Sequence, residues 1–88
     1  MSAFTIDKDA VLDFAFDWSA WLADTETIAS HVVTPTDGVT VDSSTEDSGV
    51  VTVWLSGATA PRQKVTCHIV TSDGREDDRT ITLNVRER

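Results

Sequence analysis

The stretch KVTCHIVTSDGREDDRTITLNV (residues 64–85) decides how this chain folds. Val65, Cys67 and Ile69 lie two apart on its first flank, and Ile81, Leu83 and Val85 lie two apart on its second. That period is the mark of two half-buried strands. Between them, Ser72-Asp73-Gly74 has turn chemistry. The two apolar faces must meet, and this parity selects the loop. A three-residue loop closed by Thr71 and Arg75 puts Val65 opposite Ile81 and Cys67 opposite Arg79, with Gly74 in the left-handed position of a bulged turn. A two-residue Asp-Gly loop would set Val65 against Thr82, so the three-residue register is expected.

Working outward, VVTVWL (50–55) sets Val51, Val53 and Leu55 on one face and Val50, Thr52 and Trp54 on the other. Apolar groups on both faces predict a central strand, or one with a face turned to a partner. VLDFAFDW (11–18) sets Leu12, Phe14, Phe16 and Trp18 inward, with Asp13 and Asp17 outward. A helix would separate Phe14 from Leu12 and Phe16, so a strand fits better. TIASHVV (27–33) reads as a strand with either face inward, and VTV (39–41) as a short one. TPTDG (34–38), DSSTEDSG (42–49) and SGATAPRQ (56–63) read as a turn, a polar loop and a connection. The alternation breaks at Ser19-Ala20, which predicts a bend or one helical turn. Trp18 is expected in the core, Trp21 and Leu22 at one end of it, and Asp24 and Glu26 in the turn before Ile28. Six or seven short antiparallel strands make an all-β fold: one immunoglobulin-like β-sandwich over residues 1–88, with residues 1–9 as an N-terminal arm, mobile or partner-bound.

The net charge of −8 is uneven. Residues 1–49 hold ten acids and one base, Lys8, and residues 50–88 hold five acids and six bases. An acidic half repels phosphates, so no nucleic-acid partner is expected. No apolar run reaches a bilayer's thickness and no signal peptide opens the sequence, so synthesis in the cytoplasm without a membrane role is expected. Cys67 is alone and reads as a small buried hydrophobe, because its neighbour His68 must point to the opposite face of a strand. His31 and His68 have no second ligand at metal spacing, and the acid runs 7–9 and 76–78 do not match a calcium loop, reading instead as solvated loop charge. With no phosphate loop or nucleophile set, no catalytic, cofactor-binding or metal residues are expected, and no enzyme. The candidate partner contacts are Trp21, Trp54, Asp13 and Asp17.

The pieces DWSAWL (17–22), TIAS (27–30), VWLSG (53–57) and TSDGREDDRT (71–80) carry a resemblance from about Lys8 to Arg88. The chain resembles the phage fibre-tail adaptor proteins, small proteins of tailed bacteriophages. It departs from their pattern at Ala58, Pro61 and Thr25, where they tend to carry glycine. The resemblance implies a virion structural protein: an adaptor or docking module joining head, tail or fibre components. Its partners would be tail, portal, fibre or capsid proteins in multiple symmetric copies. Two other readings are a decoration protein on the outer surface of the phage head, and a module that binds carbohydrate or the host surface. The second of these would want exposed aromatics beside acids, and the chain has no tyrosine.

Overall fold

The computed structural model describes residues 2–86. Seven strands follow in order: β1 (Ser2–Asp7), β2 (Leu12–Asp17), β3 (Ile28–Pro35), β4 (Thr40–Asp47), β5 (Val50–Ser56), β6 (Arg62–Thr71) and β7 (Glu76–Arg86). They form two sheets, β1-β7-β6-β3 and β2-β5-β4, in the immunoglobulin-like sandwich that the sequence predicts. All pairs are antiparallel except β1 with β7, which run parallel.

The β6–β7 hairpin has the expected register, with Val65 opposite Ile81 and Cys67 opposite Arg79. The Thr71 N–H donates to the Arg75 carbonyl at 2.8 Å, and Gly74 has φ 84°. The β4–β5 turn is tighter. Asp47 pairs with Val50 around Ser48 (φ 53°) and Gly49 (φ 84°), the signs of a primed hairpin turn. A Cβ on Gly49 would lie 2.9 Å from Leu22 Cδ1, a movable side-chain end, and 3.3 Å from Ser19 Cα, so the positive φ is the main demand for glycine there.

The core lies between the sheets. Val51, Val53 and Leu55 of β5 face Val65, Cys67 and Ile69 of β6 and Ile81, Leu83 and Val85 of β7, all buried. Ile6, Phe16 and Trp18 complete it. Each large side chain removed from water contributes roughly 1.5–3 kcal/mol, which a chain with one unpaired cysteine needs.

Four expectations need correction. Residues 42–49 are not a polar loop, because β4 runs to Asp47. An edge strand need not be apolar where its inward positions find polar partners. Past a register shift between Val41 and Ser43, Ser44 Oγ meets His31 Nε2 at 3.1 Å, and Glu46 accepts from the Gly49 N–H. The expected N-terminal arm is strand from residue 2 to residue 7; Met1 lies outside the described residues. Burial of Ile6 and a full parallel ladder on β7 hold it. Leu12 keeps inward parity but is 41% exposed, since it opens an edge strand. Lastly, the acids 76–78 lie in β7 and not in a loop.

In β3 a shift between Ile28 and Ser30 changes parity mid-strand. Ile28 is buried, His31 and Val33 are half-buried, and Val32 is 60% exposed. The uniform period that sequence reading needs does not exist there.

Candidate functional site

Three of the four candidate contacts fall on one surface, the outer face of the β2-β5-β4 sheet. Register sets Trp54 between Asp13 and Ser43, Thr52 between Ala15 and Thr45, and Val50 between Asp17 and Asp47. Trp54 sits on the central strand and is 44% exposed. Beside it, the Ser56 hydroxyl donates to Asp42 Oδ1 at 2.9 Å. These three strands carry five acids (Asp13, Asp17, Asp42, Glu46, Asp47) and no lysine or arginine. The four strands of the other sheet carry four acids and four bases. The charge asymmetry along the sequence thus becomes an asymmetry between the two sheets. Asp17 is held ionised: hydrogen bonds from Ser19, including its N–H at 2.8 Å, keep the carboxyl below its usual range, and Arg79 adds to this.

Trp21 belongs elsewhere. After β2 the chain makes a single helical turn, one of the two outcomes that the broken alternation allows, with the Trp21 and Leu22 N–H groups both donating to the Trp18 carbonyl. The Arg75 guanidinium lies 4.0 Å from the centre of the Trp21 ring and donates to the Trp21 carbonyl. Arg75 also holds Glu26 through Nε at 2.9 Å and through Nη2. Glu26 is only 5% exposed, and it accepts from Thr71 Oγ1 at 2.5 Å and from the Ala23 N–H at 3.0 Å. Trp21 is therefore one layer of a latch that ties residues 18–26 to the β6–β7 turn. The sequence puts Trp21 at one end of the core and Glu26 in the turn before Ile28, but carries no signal for Arg75, which lies 49 residues from Glu26.

The latch predicts acid sensitivity. The bonds from Arg75 first, then Thr71 and Ala23, pull the Glu26 carboxyl from 4.5 down to about 2. The folded chain therefore binds fewer protons there than the unfolded chain. Its contribution is complete above pH 4.5 and disappears as pH falls towards 2. Urea midpoints measured across this window should fall less steeply for Glu26→Gln than for wild type, and parallel slopes would contradict the latch. The same substitution should lower the melting temperature at pH 7 on the order of 10 °C.

The histidines are engaged. His68, on the outer face of the four-stranded sheet, meets Asp78 through Nδ1 and Glu76 through Nε2 at 2.9 Å. These carboxylates, Asp78 first, raise its pKa. Burial, then the nearby charge of Asp78, pushes the Cys67 thiol up to about 11, the opposite of an activated nucleophile. Among the described residues no three His, Cys, Asp or Glu side chains converge to hold a metal.

Comparison with solved structures finds the solution structure of the PKD domain from KIAA 1837 protein, with a TM-score of 0.58 and 21% identity over 99% of this chain and 80% of that one. At that identity the likeness shows the fold. No curated protein matches the chain by sequence. The family model described as podophage GP4 fiber-tail adaptor protein gp77 matches residues 7–84, from the end of β1 to near the end of β7. Matched across nearly all of its sandwich, the chain belongs to this fiber-tail adaptor family.

Proposed function

We propose that this chain is a non-enzymatic adaptor of the phage virion that docks through the outer face of its β2-β5-β4 sheet onto a basic surface of another tail or fibre protein. The exposure of Trp54 carries the reading. An exposed tryptophan on the central strand of an open sheet, flanked in register by Asp13 and Ser43, has the make-up of an interface anchor. Acids without a single base in three strands favour a cationic partner and would speed its capture. The chain would be made in the host cytoplasm and placed around a symmetric junction, each copy making the same contacts.

Purified virions test this against decoration of the head. An adaptor is expected in the virion at about a dozen copies and absent from capsids that lack tails. Retention on tailless capsids in hundreds of copies would replace the adaptor reading with decoration.

A further inference from the structure

A groove of about 490 Å³ runs between β2 and β7, just past the start of β1. Phe4, Ala15, Phe16 and Ile81 are its apolar lining, and Asp17, Asp78, Arg79 and Thr80 its polar lining. Its position follows from the strand register. β1 begins at Ser2, opposite Ile81, so β7 before Ile81 has β6 on one side and no described strand on the other.

The backbone of β7 shows what that edge offers. The Arg75 carbonyl accepts from Thr71 and the Val85 N–H donates to Pro61, so odd-numbered residues turn towards the β6 side. The Arg86 carbonyl accepts from Lys8, so even-numbered residues turn towards the β1 side. By this alternation the N–H and C=O of Asp78 and the N–H of Thr80 point into the groove. On the opposite wall, the Asp17 carbonyl already accepts from Arg79 Nη1 at 2.5 Å, which bridges the two sheets across the groove. The Arg79 guanidinium rests 4.8 Å from the centre of the Trp18 ring, with Nε 3.7 Å from Asp77, so its charge is met within the chain. Asp17 remains exposed at the rim, two residues along β2 from Ala15 and four from Asp13.

We propose that this groove seats an eighth strand: an extended segment of another virion protein, with alternating apolar side chains and a lysine or arginine, that adds to the free edge of β7 in line with β1. Backbone donors and an acceptor on a sheet edge that no described strand pairs are the recognition element of strand addition, and apolar lining takes every second side chain. The cation would meet Asp17. A second copy of this chain is disfavoured by charge, because it would bring a net charge of −8 to an acidic rim. The groove does not depend on the Trp54 face, but it opens beside Asp17, which borders both. An adaptor must hold two components, and two surfaces of different character allow that.

Amide hydrogen exchange on the full chain, free and assembled in purified tails, tests this. The amides of Asp78 and Thr80 should exchange readily in the free chain and slow by about 100-fold or more in tails. Thr80→Pro removes one of these donors at a position whose N–H faces away from β6, so it should fold yet enter tails at least about tenfold less well. Unchanged exchange in tails overturns the proposal and leaves the Trp54 face standing, since Trp54→Ala tests that separately. Protection that appears in the free chain as it dimerises with rising concentration overturns the foreign strand in favour of a second copy. Should Thr80→Pro fail to fold, exchange in the wild-type chain alone decides.

Discussion

Trp18→Ala is expected to lower the melting temperature of the isolated chain by about 15–30 °C, from a cost of roughly 3–5 kcal/mol. Trp18 is 0% exposed, so truncation opens a cavity at one end of the core. Its ring stacks near Phe16, with centroids 6.0 Å apart and planes 20° apart, and Arg79 lies on it. Its Nε1 donates to Asp77 Oδ2 at 2.9 Å, so the substitution also strips a carboxylate of its partner. A chain of this length has a total stability on the order of 4–13 kcal/mol, and losing this much leaves a large unfolded fraction at 37 °C. Trp18→Phe should cost only about 1–2 kcal/mol, mostly the lost hydrogen bond. Thermal scans of the three proteins check the order. Equal melting of Trp18→Ala and wild type would mean that the sandwich does not close on this side chain.

Trp54→Ala should do the reverse. It is expected to weaken binding to tails by about 30- to 1000-fold, the range for loss of an interface anchor worth roughly 2–4 kcal/mol. The fold should hardly notice. Trp54 is 44% exposed and outside the core cluster, and the cost of replacing it on an open strand face is about 1 kcal/mol or less. Asp13→Asn, one register position away, should act more weakly, mainly by slowing association at low salt.

How these residues divide between core and surface was legible to different depths. The β6–β7 hairpin could be read to single-residue register, because two apolar faces and one glycine leave a single consistent pairing. Trp54 could be assigned a face but not an exposure. Alternation shows which side of β5 it occupies, while the two-sheet arrangement decides that this side is open. β4 was hidden because Ser44 and Glu46 occupy inward positions, and no local pattern shows that His31 and the Gly49 backbone will satisfy them. The latch was hidden for a similar reason. Glu26 and Arg75 look like ordinary loop charges until the fold brings them onto Trp21. The groove beside β1 is a property of strand length and order, which composition does not encode.

The most direct test of the docking face is co-sedimentation of the wild-type chain and Trp54→Ala with tails that lack the protein, with a thermal melt of each. The expected result is that Trp54→Ala melts within a few degrees of wild type but stays in the supernatant at concentrations where wild type saturates the tails. Saturation by Trp54→Ala at the same concentration as wild type would contradict the account.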